Sequence, residues 1–153
     1  MKLISSIFIQ RKPEVVWDFL KDPENMQQWN PRVEKVTPSE FEDPGTGYCH
    51  EITYRMHANA RANSFHAEMK VFEPPQVLEI RLVPQSARQK APEIMERYGL
   101  LAQDGGTLLT QTIRVENSGI SVLFRGLIWL VTKFGKPTGK PLLANLRDLL
   151  EGR

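Results

Sequence analysis

Hydrophobic and polar residues alternate along most of this chain, and the period of the alternation changes three times. Over residues 3 to 10, Leu3, Ser5, Ile7 and Ile9 fall on one face, which predicts a strand. At Lys12-Pro13 the spacing becomes helical. Proline suits a first helical turn and Glu14 suits the positive end of a helix. Val16, Phe19 and Leu20 then form an apolar stripe, with Trp17 beside it. Asp22-Pro23 ends this helix, because a residue before proline avoids the α region. Pro23 starts a second short turn, which Asn30-Pro31 stops. Helices this short are marginal alone, so they must be packed against something larger. Trp17 and Trp29 read as structural plugs in that packing.

From Val33 the period returns to two. Val33 to Phe41 reads as a strand, and Asp43-Pro44-Gly45-Thr46-Gly47 as a turn. Tyr48, His50, Ile52, Tyr54 and Met56 then alternate with Glu51, Thr53, Arg55 and His57. Phe65, Ala67, Met69 and Val71 repeat the pattern against His66, Glu68 and Lys70. A register that sets Tyr54 opposite Met69 would also set Ile52 opposite Val71, Arg55 opposite Glu68 and His57 opposite His66. A slip by one residue would turn the apolar set outward, so parity is better specified than register. Glu73-Pro74-Pro75-Gln76 is a turn, and Leu78, Ile80 and Leu82 mark the next strand.

Residues 84 to 92 read as a loop. Ile94 to Gln103 and Thr107 to Glu116 flank Asp104-Gly105-Gly106, a hairpin signal. A two-residue loop there sets Leu100 opposite Leu109, Tyr98 opposite Gln111 and Glu96 opposite Ile113, all on the inner side. Pro92 to Glu96 could instead hold a helical turn. The chain closes with helix. Ser118 is a candidate N-cap, Ile120 to Val131 is nearly all apolar, and Gly135 to Pro141 must break or kink it. Leu142, Leu143, Leu146, Leu149 and Leu150 form a final stripe. One strand, two short helices, six strands and a terminal helical region make an α+β architecture, in which the C-terminal helix covers the sheet's apolar face.

Composition narrows the function classes. The 153 residues predict a single domain over residues 1–153, with 41% hydrophobic and 25% charged residues. A net charge of +2 gives no case for nucleic acid, and the lysines between Lys133 and Lys140 read as a solvated helix end. The single cysteine, Cys49, cannot form an intrachain disulfide, which fits a reducing, cytoplasmic setting. MKLISSIFIQ has too short an apolar run for a signal peptide, and no run reaches the roughly 18–20 apolar residues of a membrane span. Neither His57 with His66 nor Cys49 with His50 supplies the three or four ligands of a metal site. No phosphate loop or dinucleotide fingerprint appears, so no metal and no cofactor is expected.

The order of elements, with Ile9, Pro13, Glu14, Val16, Trp17, Asp22-Pro23 and Trp29-Asn30-Pro31 at the front, resembles the START/Bet v 1-like (SRPBCC) superfamily, in particular its polyketide cyclase/dehydrase-like branch. The Asp104-Gly105-Gly106-Thr107 hairpin and the Leu-rich end before Glu151 agree with it. The resemblance implies a helix-grip fold: a seven-stranded antiparallel sheet wrapped around a long C-terminal helix, with two short helices after strand 1. It also implies a cavity for apolar ligands between sheet and helix. Such folds carry ligand binders and enzymes alike.

In that architecture the inward polar groups would be His50, Tyr54, Glu96, Tyr98 and Gln111, in an otherwise apolar wall. The expected function is binding or transport of a small hydrophobic ligand such as a lipid, a quinone or a polyketide-like aromatic. Tyr54, Met56, Met69, Leu78, Ile80, Tyr98, Gln111, Ile113, Phe124 and Leu127 would line its site. The alternative is a cyclase or dehydratase, with Glu96 or His50 as acid–base and Tyr98 steadying an enolate oxygen. Mutual hydrogen bonding among these groups is the plainer possibility. Residues 120–131 would reach about 18 Å as helix, short of a bilayer core of about 30 Å. Their surplus apolar face would line the cavity, seal a homodimer or touch a membrane transiently.

Overall fold

The first strand and the second lie at opposite edges of one sheet, and the short helices carry the chain between them. The computed structural model describes residues 2–55, 59, 61–86, 88, 91–116 and 141–153. Its strands are β1 (Lys2–Ile9), β2 (Val33–Thr37), β3 (Cys49–Tyr54), β4 (Asn63–Glu73), β5 (Val77–Pro84), β6 (Ile94–Gln103) and β7 (Gly106–Val115). All pair antiparallel in the order β1-β7-β6-β5-β4-β3-β2. Helices α1 (Pro13–Leu20) and α2 (Met26–Trp29) precede β2, and α3 (Leu142–Glu151) closes the chain. The expected helix of residues 119 to 134, Ser118 and the Gly135–Pro141 break lie outside the described residues.

Local chemistry places the two short helices as the sequence suggests. Pro13 opens α1, with Glu14 in its first turn. Asp22 caps a 3-10 turn at Pro23–Asn25 by accepting the Glu24 N–H at 3.1 Å. The Asn25 amide then donates to the Phe19 carbonyl at 2.9 Å, holding the angle between the helices. Val16, Trp17 and Leu20 of α1 and Met26 and Trp29 of α2 are buried. Trp17 meets Phe72 of β4 edge-on, with ring centroids 5.0 Å apart. The helices α1 and α2 contact β6, β7 and β2, and α2 also contacts α3.

The β6–β7 hairpin matches the sequence reading pair by pair: Leu100 with Leu109, Tyr98 with Gln111, Glu96 with Ile113. Asp104 and Gly105 both take positive φ, 48° and 77°, the pattern of a type I′ turn. Ile94 begins a regular strand, so no helical turn interrupts it.

The β3–β4 hairpin keeps the expected parity and changes register. Ile52 pairs with Phe65 and Tyr54 with Asn63, rather than Val71 and Met69. The Asp43–Gly47 turn sets this, because Gly47 N–H donates to the Met69 carbonyl and Met69 N–H to the Tyr48 carbonyl, at 2.8 and 2.9 Å. Met69 is therefore drawn beside Tyr48, and the Thr53 and Ser64 hydroxyls bond across the pair at 3.2 Å. His66 faces Glu51, not His57, and Arg55 bonds Glu34 at 2.8 Å rather than Glu68. A ladder irregularity between Met69 and Val71 turns Val71 outward opposite Glu79 and Phe72 inward opposite Leu78. That extra residue is what brings Phe72 to Trp17. Strand β2 stops at Thr37, because the chain leaves the ladder where Ser39 N–H donates to the Tyr48 hydroxyl at 3.0 Å. In α3, Leu143, Ala144 and Leu146 are buried, while Leu149, expected in the stripe, is exposed.

Gly106 is the tightest point of the β1–β7 seam. A Cβ there would lie 2.5 Å from the Ile9 carbonyl oxygen and 2.6 Å from the Phe8 ring. Gly99, on the neighbouring strand, has nothing within 4 Å of a built Cβ. Gly106→Ala is expected to cost about 1–3 kcal/mol in chemical denaturation, by forcing the strands apart. Gly99→Ala should leave stability unchanged or raise it by about 0.5 kcal/mol. Equal effects of the two substitutions would refute this steric account.

Candidate functional site

Strand alternation decides which polar groups face inward. On β6, Ile94, Glu96, Tyr98 and Leu100 point to the inner face, whereas Arg97 points outward and bonds Glu79 at 2.8 Å. Arg81 and Glu93 likewise pair on the outside. Glu96 sits between Ile80 of β5 and Ile113 of β7, and is only 5% exposed. Tyr98 is 1% exposed and directly faces Gln111. The long Gln111 side chain reaches both neighbours. Its amide nitrogen donates to Glu96 Oε1 at 3.1 Å and to Tyr98 Oη at 3.2 Å. Glu96 Oε2 is buried without a hydrogen-bond partner among the described residues.

This arrangement sets the proton inventory. Burial pushes the Glu96 carboxyl up to about 7, against the pull of the Tyr98 and Gln111 side chains. Burial and then the Glu96 charge push the Tyr98 and Tyr54 hydroxyls well up, so both remain protonated. Tyr54, on β3, therefore shares an electrostatic environment with Glu96. Its hydroxyl lies 3.5 Å from the Met26 sulfur of α2, and its ring meets Phe65 edge-on at 6.0 Å.

His50 is also buried and inward, but it stands apart from the cluster. It pairs with Ala67, which pairs with Leu82, which pairs with Ile94 on the strand of Glu96. Three strand spacings of about 4.8 Å put Ile94 roughly 14 Å away along the sheet, and Glu96 lies two residues further along that strand. The His50 ring lies beside Tyr48, with centroids 5.7 Å apart, and its Nδ1 has no partner among the described residues. Burial, and secondarily His66, pushes His50 down to about 4, so it stays neutral rather than exchanging protons near neutrality as the sequence suggested. The Cys49 thiol is pushed up by burial and by Glu68 and Glu42, which opposes a nucleophilic role.

The expected lining residues fall into three groups. Met69, Leu78 and Ile80 are buried beside the cluster, and Tyr54 and Ile113 are half-buried at its margin. Met56, Phe124 and Leu127, and the whole of residues 120–131, lie outside the described residues. Met26 was not anticipated, although its helical spacing from Trp29 in a polar segment was the signal available. Two hollows open outside the inner face. One of about 420 Å³ lies between α2 and α3, around Trp29 and Asp148. Another of about 480 Å³ lies beside Trp17, Lys21 and Phe72. Among the described residues no three His, Cys, Asp or Glu side chains form a group able to hold a metal ion.

Sequence comparison matches residues 2–151 to the family described as polyketide cyclase/dehydrase and lipid transport. No curated protein matches the chain significantly. Solved structures share the fold. Protein TTHA0849 from Thermus thermophilus is 17% identical, with 99% of this chain and 98% of that one covered and a TM-score of 0.70. Major latex-like protein 151 from Panax ginseng is 16% identical, with 99% and 96% covered and a TM-score of 0.67. The Aha1 dimer from Colwellia psychrerythraea is 15% identical, with 99% and 96% covered and a TM-score of 0.60.

The two buried titratable groups should pull stability in opposite directions with pH. Glu96 is raised from 4.5 to about 7 in the folded state. Its contribution is complete below pH 4.5 and is lost as pH rises through 7. His50 is lowered from 6.5 to about 4. Its contribution is complete above pH 6.5 and is lost as pH falls through 4. Each amounts to about 3 kcal/mol, and over the shared range they offset one another. Unfolding measured relative to wild type should show Glu96→Gln gaining stability from pH 4.5 to 7 and His50→Gln losing it from pH 4 to 6.5. Slopes of the same sign would contradict this assignment.

Proposed function

Because the chain belongs to the polyketide cyclase/dehydrase and lipid transport family, we propose that it binds and carries a small apolar molecule against the inner face of its sheet. One observation carries this reading. Glu96, Tyr98 and Gln111 form a hydrogen-bonded group on a mainly apolar surface, and one carboxyl oxygen of that group is buried with no geometric hydrogen bond among the described residues. A mainly apolar site with a few convergent polar atoms suits an apolar ligand with one polar end. Met69, Leu78, Ile80, Tyr54 and Ile113 would supply wall, and the polar group would orient the ligand. Met56, Phe124 and Leu127 would complete the wall. Among the described residues no helix is long and apolar enough to cross a membrane. The apolar face of residues 120–131 is proposed to cover the ligand, with homodimer or membrane contact as its other uses.

A second reading is favoured by one specific feature. A carboxyl that titrates near 7 beside a protonated tyrosine is suited to move a proton at an activated carbon, as a cyclase or dehydratase requires. Tyr98 would then steady the enolate oxygen. His50, neutral and distant, has no part in that chemistry.

Native mass spectrometry of protein purified from its own host should show a retained apolar molecule. Glu96→Gln should leave that mass adduct in place under the carrier reading. If turnover of a poly-β-keto thioester is found in the wild type and lost in Glu96→Gln, the enzymatic reading replaces it. Protein that carries no adduct and takes up no naphthyl or acyl probe would refute both.

A further inference from the structure

The two free edges of the sheet are built differently. Strand β2 is five residues long, carries the exposed charges Glu34 and Lys35, and has a register break between Val33 and Lys35. Short length, charge and irregularity protect a strand edge from pairing with another chain. Strand β1 lacks these protections. Its eight residues pair with β7 without a break, and its single charged side chain, Lys2, stands at one end. The rest of the edge reads Leu3-Ile4-Ser5-Ser6-Ile7-Phe8-Ile9. No strand among the described residues lies on its other side, and Ile4 is 60% exposed. Ile7 pairs with the inward Leu109, so Ile4 and Phe8 point outward. On that outer face Phe8 pairs with Leu108, and Leu108 with Leu101, which is 61% exposed. An apolar patch therefore runs from the open edge onto the outer face of the sheet.

We infer that this edge is an interface for a second copy of the chain, the two β1 strands pairing antiparallel about a two-fold axis at Ser5. The open N–H and C=O groups of an edge strand are matched by another strand. A two-fold axis normal to the sheet pairs residues of equal parity, so inner face continues into inner face. Centred on Ser5, it sets Leu3 opposite Ile7 on the inner side, and Lys2 opposite Phe8 and Ile4 opposite Ser6 on the outer side. This register uses residues 2–8 and spares Ile9, which is 0% exposed. A centre at Ser6 would need Ile9 opposite Leu3. The two Lys2 ammonium groups then lie six residues apart along the pair, about 20 Å, beyond a screening length of about 8 Å. Each instead faces a Phe8 ring of the other copy, a favourable cation–ring contact. Pairing β1 with β2 of a further copy would grow an open fibre, and the charged, broken β2 opposes it. About 24 Å of strand edge buries on the order of 400 Å² per copy, half of a standard interface, so the dimer is weak and forms with rising concentration.

Sedimentation of the full chain should show a dimer half-dissociated at a concentration on the order of tens of micromolar. Ile4→Lys sets two ammonium groups on diagonal neighbours across the pair and should weaken the dimer about tenfold. Ile4→Glu should do the same, and an equimolar mixture of the two variants should recover association. Because Ile4 is exposed in the single chain, both variants should melt as the wild type does. With Cys49→Ser in the background, Ser5→Cys should oxidise to a covalent dimer, since directly opposed Cα atoms about 4.5–5.5 Å apart suit a disulfide. Ser6→Cys should cross-link far more slowly. A wild type that stays monomeric at about 1 mM would overturn the interface, because even the weakest specific dimers associate there. So would a dimer that neither responds to Ile4→Lys nor cross-links at Ser5. Faster cross-linking at Ser6 than at Ser5 would overturn the register. A monomer that floats with phosphatidylserine vesicles, and is released from them by Ile4→Glu, would assign the patch to a membrane surface in place of a second copy.

Discussion

The chain has to travel from one edge of its sheet to the other within residues 10–32, and most of the architecture follows from that crossing. Among the described residues β1 pairs with β7 alone and β2 with β3 alone, so the two strands form opposite edges and the helices must bridge them. The crossing passes over one end of the sheet, and its two indoles are the bulk that fills that end. Trp17 settles on Phe72, and Trp29 sits near α3. Asp22, Asn25 and Asn30 supply the backbone bonds that let such short helices turn without leaving orphaned groups. Asn30 is itself buried, and its side chain accepts the Arg32 N–H at 3.1 Å where the chain enters β2.

On the inner face, a buried carboxyl behaves differently from the many carboxylates outside. Glu79, Glu93 and Glu34 each meet an arginine in partial contact with water, where such pairs contribute little. Glu96 meets an amide and a phenol, with no cation among its partners in the described structure. Burial raises its carboxyl to about 7, so the neutral, hydrogen-bond-donating form persists up to near neutral pH. The same strand that sends Arg97 outward to an ion pair sends Glu96 inward to this role, one residue away.

Much of this was legible from residue patterns. Alternation assigned the inner polar groups, and the Asp104-Gly105 turn fixed the β6–β7 register because a two-residue loop leaves no freedom. The short helices were legible because proline positions are nearly unambiguous. The β3–β4 register was not, because an eight-residue gap between Tyr54 and Asn63 admits several pairings of the same parity. The Gly47–Met69 bonds that decide it join segments distant in sequence. The irregularity at β4 was hidden for a similar reason: Val71 and Phe72 are both apolar, so either could face inward. The separation of His50 from Glu96 was invisible until strand order was known, since alternation gives a face and not a neighbour. The hydrogen-bond partners of Glu96 likewise depend on the reach of Gln111 diagonally across a strand pair.

The pairing of β1 with β7 also bears on how the protein is made. Ser6 and Thr110, whose hydroxyls bond at 3.0 Å, are 104 residues apart in the chain. At a synthesis rate of roughly 5–20 residues per second, β1 leaves the ribosome several seconds before β7, its partner in the described sheet, exists. During that interval Leu3, Ile4, Ile7 and Phe8 stand on a strand with no neighbour on either side. The meander from β2 to β7 can form in order as it emerges, each strand meeting the one before it. The first-made strand is therefore the last to be incorporated, and the nascent chain depends on holding it unpaired until then.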